Sequence, residues 1–291
     1  MESSDSGCTI ALDVGGTSVK SGLVRAGAVL TTPITTPLDQ AGPAEAILGT
    51  FGGVLALHLR ELAGRPLLGV ALGFPAPFDY PAGVCLMRHK FAALYGQNIR
   101  AALGAGLPDP SLPVLFRNDA EAAIVGEARY GVGRRYRRLI GLTLGTGLGS
   151  AFLDAGEPVK EGPSLPPQGE LYAEPALGAT ADDVFSIRGL TARLRTAAPR
   201  APDIRTAAER ARAGDTPLVS AFAQFGADLA AFLLPYVRGF AAEAVLLLGG
   251  LANAADLFAP TLAAGLPATV APGELGQRAA LLGAAALIES A

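Results

Sequence analysis

The apolar run PVLF passes through Arg117 into Asn118 and Asp119, and a stretch of small helix-forming residues, AEAAIVGEARYG, follows at once. Two kinds of chemistry suit a carboxylate at such a junction. Its oxygen, or that of Asn118, can cap the helix by accepting an open N–H of the first turn. Alternatively, Asp119 faces a cleft and accepts a proton, held on rigid scaffold by the strand tip beneath it. Residue type alone favours the cap, so the decision rests on the other motifs.

Glycine turns supply the second chemistry. IALDVGGTSVKSGLV and LIGLTLGTGLGSAFL each read as strand, Gly/Thr turn, strand. Laid together without a gap, Ile10, Leu12 and Gly15 fall opposite Ile140, Leu142 and Gly145, an offset of 140 − 10 = 130 residues. That spacing is a domain-scale duplication and not a solenoid repeat. Either turn alone could be an ordinary hairpin, because Gly takes positive φ at low cost. As a pair, they offer backbone N–H groups that no Cβ shields, which suits a polyphosphate. The sequence holds neither GxxxxGK[ST] nor a GxGxxG that opens a helix, so Walker and Rossmann sites are disfavoured.

The elements that must position these residues follow from periodicity. CTIALDV, VKSGLV and AVLTTPI form an antiparallel meander, and a helix spans roughly 43–62. Next come the strand LLGVALGF, a proline-rich loop, a helix over 98–104, the strand PVLFRND and a helix over 120–130. After the second hairpin, helices dominate 185–240, with an amphipathic stretch over 222–236 that fits a core or a dimer seam. AVLLLGG is a further strand, followed by helices over 252–266 and 277–289.

With these residues in view, the chain resembles the actin/hexokinase-like fold. IALDVGGTSVKSGLV is similar to its first phosphate motif, LTLGTGLGSAFL to its second and VLLLGGLANA to its adenosine motif. GVALGFPAPFDYPAGV, FRNDAEAAIVGEARYG and Gly169-Glu170 narrow the resemblance to the ROK family of sugar kinases and sugar-responsive repressors, over about residues 8–288. It implies an α/β fold of two similar lobes, each a mixed β-sheet flanked by helices (an actin-like ATPase, ribonuclease H-like duplication), with a cleft between them. The expected lobes are 1–120 and 121–291, the terminal helix packing back on the first.

The resemblance further implies a Mg²⁺-dependent kinase that moves the γ-phosphoryl of ATP onto a hexose hydroxyl. Asp119 would be the general base, and Asn118 and Glu170 sugar ligands. Asp13 would help place metal and phosphates, or merely close an Asx-turn. Gly15, Gly16 and Thr17 would shape the first phosphate turn, Gly145, Thr146 and Gly147 the second, and Gly249 and Gly250 the adenine side. Gly73, Phe74, His89 and Lys90 fall where the family contacts sugar, though His89 and Lys90 suit the surface equally well. Lys20 either reaches a phosphate or is a solvated strand lysine.

Two departures stand out. Ala173 replaces the histidine of the family's GExGH motif, and the zinc-binding cysteine cluster is missing, so no structural zinc is expected. Family members that use polyphosphate also lack that cluster. Polyphosphate-dependent glucokinase and N-acyl-amino-sugar kinase therefore stay open as alternatives, with an inactive sugar-binding regulator as the rival from another class. Asp182 lies near the place of a further family glutamate.

Bulk properties remove several other functions. Net charge is −3 in 291 residues, with no general pull toward nucleic acid or anionic membrane. The cluster GRRYRR, 133–138, reads as a solvated loop or as a rim that attracts an anionic donor. Cys8, Cys85, His58 and His89 show no metal-ligand spacing, and two cysteines fit the reducing cytoplasm. The first residues lack the order of a signal peptide, and prolines 260, 267 and 272 are expected to break the uncharged stretch 257–273, so no membrane span is expected. With a first strand expected at about residue 8, direct DNA binding through a preceding winged helix is not expected. A homodimer is the expected assembly.

Overall fold

In the computed structural model, which describes residues 7–198 and 203–290, CTIALDV forms strand β1, Cys8–Val14, and turns back into β2, Ser18–Arg25. The short strands β3, Ala28–Val29, and β4, Ile34–Pro37, both pair antiparallel to β2. Helix α1, Ala44–Glu61, leads to β5, Leu67–Phe74, and then to the two-residue hairpin strands β6, Phe78–Asp79, and β7, Val84–Cys85. Helix α2, Ile99–Gly104, strand β8, Val114–Asn118, and helix α3, Asp119–Tyr130, follow. Strand β5 is parallel to both β1 and β8, giving the order β3-β2-β1-β5-β8. Residues 69–74 of β5 are buried throughout, as expected of a parallel strand covered on both faces.

The second hairpin consists of β9, Arg138–Leu144, and β10, Leu148–Asp154, with β11, Glu157–Pro158, added at the edge. A small ribbon of β12, Pro175–Ala176, and β13, Ala179–Thr180, precedes four helices. These are α4, Ala181–Phe185, α5, Ile187–Ala197, α6, Ile204–Arg212, and α7, Thr216–Phe240. Strand β14, Ala244–Leu248, helix α8, Ala255–Ala264, and strand β15, Thr269–Pro272, complete a sheet of order β11-β10-β9-β14-β15. The last helix is α9, Arg278–Glu289. Hairpin starts differ by 138 − 8 = 130 and 148 − 18 = 130 residues, so the offset read from the motifs holds strand for strand.

Two compact units result. The first takes the described residues up to Gly126 and those from Leu275 onward, so α9 belongs to it; the second takes Glu127–Glu274. In the first, Phe74 sits among Phe51, Phe78, Phe91 and Phe116, with ring centroids 4.6–6.3 Å away. There α9 also meets α3 backbone to backbone. A Cβ on Gly126 would stand 1.9 Å from the Ala279 carbonyl oxygen, and one on Gly283 would stand 1.8 Å from that of Ala122. In the second unit Phe185, Phe222, Phe225 and Phe258 are buried together.

The helix expected over 252–266 forms as α8 with Pro260 inside it, and the amphipathic stretch over 222–236 lies in α7 with Pro235 inside it. Neither proline ends its helix. Packing between those helices overrides the lost N–H: Gly226 abuts the Phe258 carbonyl, and the Thr261 hydroxyl donates to Ala223 O at 2.9 Å. Among the described residues, α7 is the helix long and apolar enough to cross a membrane, and Leu218, Phe222, Phe225, Leu229, Leu233 and Val237 form its buried stripe. Strand β15 was not anticipated at all.

Candidate active site

Parallel strands deliver their C-terminal ends to one place in the first unit. Asp13 on β1 pairs in register with Gly73 on β5, and Phe74 pairs with Asn118 on β8. Gly73 lies beside both Asp13 and Asp119. A Cβ there would lie 3.5 Å from the Asp119 Cα and 3.8 Å from an Asp13 carboxylate oxygen.

At the helix start the question of the cap is resolved by Asn118. Its Oδ1 accepts the N–H of Glu121 at 3.1 Å, while its Nδ2 donates to the Tyr80 hydroxyl at 3.3 Å. Tyr80 in turn donates to Phe74 O at 3.0 Å. Asp119 is thereby released from the capping position. It occupies the first helical residue, where one oxygen accepts the N–H of Ala120 at 2.9 Å.

Electrostatics separate this pair from surface carboxylates. Burial pushes the Asp13 carboxyl above its usual range; Lys20 opposes the shift, and the charge of Asp119 adds to it. Burial also raises Asp119, against the Ala120 N–H and the positive charge of Lys90. Lys20 is no solvated bystander, since its Nζ stands 3.4 Å from Asp13 Oδ2 across the β1–β2 register.

The first glycine turn closes when Gly15 N–H bonds Ser18 O at 2.9 Å, and Thr17 is exposed at its apex. A following segment braces it, with Leu38 N–H on Thr17 O at 2.9 Å and Gln40 N–H on Gly16 O at 3.3 Å. His89 is exposed and Lys90 half-buried. Phe74 corrects an expectation: its ring is wholly buried in the aromatic cluster, so it supports the strand end and has no surface for a sugar.

The second unit builds its own turn from Gly145, Thr146 and Gly147, closed by Gly145 N–H on Gly147 O at 3.0 Å. Asp182 braces it, accepting Leu148 N–H at 2.7 Å and holding Arg188 at 3.1 Å. The start of α5 is joined to the same turn through Ile187 N–H on Gly145 O at 2.8 Å. Gly249 has φ 86° and ψ −178°, and a Cβ on it would meet Leu144 O at 2.5 Å, so β14 delivers the exposed Gly249-Gly250 pair directly beside this turn. Glu170 follows Gly169 in a loop tied to β10, where the Ser150 hydroxyl donates to Gly169 O at 3.0 Å and accepts Leu171 N–H at 2.9 Å. Arg137 and Arg138 of the basic cluster each bond Asp154 at 2.9 Å, while Arg134 and Arg135 are exposed.

Sequence reasoning missed Gln40 and the bracing role of Asp182. The Asp13–Lys20 pair was legible in principle, because a hairpin about Gly15–Thr17 that sets Val14 opposite Val19 must set Asp13 opposite Lys20. Among the described residues, no group of three or more His, Cys, Asp or Glu side chains could hold a metal ion.

The profile of the ROK family matches residues 9–291. This chain belongs to the ROK family. Among ROK relatives, the glucokinase of Streptomyces coelicolor is 29% identical over 50% of this chain and 44% of that protein. The chain spans about half the length of the curated relatives it matches, from 44% to 52% of each. Of the solved structures, the ROK hexokinase from Thermus thermophilus shares the fold, with a TM-score of 0.79 at 23% identity over 98% of this chain and 100% of that one. The inorganic polyphosphate/ATP-glucomannokinase from Arthrobacter sp. strain KM gives a TM-score of 0.69 at 26% identity, over 98% of this chain and 99% of that one.

Proposed function

We propose that this ROK chain is a sugar kinase that transfers the terminal phosphoryl group of ATP to a hexose hydroxyl, with Asp119 as general base. The observation that carries the reading is the division of labour at the end of β8. Asn118 satisfies the helix, and the freed Asp119 stands beside Asp13 with its carboxyl raised. A carboxylate whose affinity for a proton is raised is the better base.

In the reaction, the hydroxyl oxygen bonds to the terminal phosphorus as the bond to the leaving phosphate oxygen breaks, and the hydroxyl proton passes to Asp119. Asn118 retains a second Nδ2 hydrogen for a sugar oxygen, and Glu170 is a further sugar ligand in this reading. Backbone N–H groups of the Gly15–Thr17 and Gly145–Gly147 turns suit phosphate oxygens, and Gly249-Gly250 admits a nucleotide close to the backbone. The donor set also fits a divalent cation: Asp13 and Asp119 repel one another, and Mg²⁺ characteristically takes one or two carboxylates together with substrate phosphates. Asp13 would hold the ion, which supplies charge neutralisation on the donor.

The test is a coupled assay of a hexose panel against ATP, GTP and polyphosphate. Hexose-dependent release of ADP supports the reading, and no turnover of any hexose with any donor overturns it. Similarity to the Arthrobacter polyphosphate/ATP enzyme over nearly the whole chain favours polyphosphate as the alternative donor, which the same panel separates.

A further inference from the structure

Tyr80 stands outside the glycine turns, yet it touches the end of β8. It follows β6 in the loop after β5, and it is firmly held there. Its ring packs on that of Phe78 with centroids 5.3 Å apart. Its carbonyl accepts from Arg100 Nη2 at 3.3 Å, and Arg100 is itself anchored to β8 through Nε on Val114 O at 2.9 Å. The Tyr80 hydroxyl donates to Phe74 O at 3.0 Å, and Phe74 is the register partner of Asn118.

A hydroxyl has one hydrogen, and Tyr80 has given its own to Phe74. Toward Asn118 it can therefore act only as an acceptor. The other end of the same amide faces the Glu121 N–H, which can only donate. With an acceptor on one side and a donor on the other, the amide has one orientation. The reverse would set Nδ2 against the Glu121 N–H and leave Oδ1 facing a lone pair of Tyr80. A carboxamide is planar, so tying Oδ1 and one hydrogen of Nδ2 also fixes the direction of the second hydrogen. Asn118 is half-buried and keeps part of its surface open, and the next residue is Asp119. A fixed donor thus stands beside a carboxylate that accepts, and a sugar hydroxyl, at once acceptor and donor, can use both.

We infer that Tyr80 is a positioning residue of the acceptor site: it locks the Asn118 amide so that the remaining Nδ2 hydrogen is aimed at a sugar oxygen. This rests on the kinase reading above, in which Asn118 binds the sugar. Tyr80→Phe removes only the hydroxyl. Asn118→Ser removes the amide while keeping an oxygen fit to cap α3. The parent protein, the two single variants and the double variant form a cycle, assayed for hexose and phosphoryl-donor kinetics with thermal unfolding alongside.

Tyr80→Phe should raise the hexose KM about 3- to 10-fold, the worth of one neutral hydrogen bond, with kcat and donor KM within about twofold of the parent. Asn118→Ser should raise the hexose KM by at least as much. In the Asn118→Ser background, Tyr80→Phe should leave the hexose KM unchanged, because no amide remains to be aimed. Its lowering of the melting temperature should persist there, through the lost Phe74 bond. A merely structural role gives additive losses instead and moves kcat or the donor KM as well. The inference is overturned by additive losses in hexose KM, by a donor KM that rises with it, or by a Tyr80→Phe protein with the parent's hexose KM. Should no hexose turn over with any donor, the kinase reading alone has failed, and calorimetric affinities of the same hexoses for the four proteins then decide by the same cycle. Failure of every hexose to bind overturns both.

Discussion

Asp119→Asn separates catalysis from folding more sharply than any other single change. Asparagine keeps an oxygen for the Ala120 N–H and leaves the Asn118 cap untouched, so α3 should start at the same residue. What it loses is the proton acceptor, which costs about 10²- to 10⁴-fold in kcat, or about 3–5 kcal/mol in the transition state. Stability should move the other way. Because burial raises the Asp119 carboxyl in the folded state, the native protein binds the proton more tightly than the unfolded chain, whose Asp titrates near ~3.9. Wild-type stability therefore falls as pH rises from the unfolded value through the raised one, and this part of the slope should vanish in the variant. Removing the charge also relieves Asp13, whose own carboxyl should drop toward its ordinary range. Initial rates and melting curves from pH 4 to 8 measure both effects. Near-normal turnover, or a variant less stable than wild type at neutral pH, would refute the reasoning.

Gly249→Ala should destabilise the second unit by about 3 kcal/mol in denaturant titration, since its backbone angles are essentially confined to glycine and its Cβ would press on Leu144. Asp182→Ala should cost about 1–2 kcal/mol by removing the acceptor for Leu148 N–H, and should raise the donor KM more than the hexose KM; Asp182→Asn should be milder. His58 is wholly buried, bridging Ser21 Oγ at 2.8 Å and Glu61 at 2.6 Å, so His58→Leu should cost about 1–3 kcal/mol through the stranded Ser21. Adding Ser21→Ala should return part of that loss, and a strictly additive double mutant would count against the bridge.

Long apolar runs and their punctuation were legible from residues alone. LLGVALGF emerged as β5 residue for residue, and the helix expected over 43–62 formed over Ala44–Glu61. Asn118 and Asp119 showed both of their possible roles in sequence, but only the Glu121 N–H could assign the cap to one of them. β15 escaped because TVAP is four residues long, carries a proline and owes its existence to parallel pairing with β14, a non-local contact. Pro260 did not hide α8, which was legible over 252–266 and is held together around the proline by contacts on α7. Phe74 shows a different limit: a strand-end residue inside a functional motif can belong to the core, and periodicity does not reveal which way a terminal side chain turns.

The contact of α9 with α3, with Gly126 against Ala279 and Gly283 against Ala122, bears on how the protein is made. The unit carrying Asp13 and Asp119 is interrupted in the chain by all of Glu127–Glu274. A ribosome must therefore translate the whole second unit before the helix that supports α3 exists. Until then the nascent first unit holds both carboxylates but exposes the glycine-notched side of α3, a bare apolar strip during synthesis.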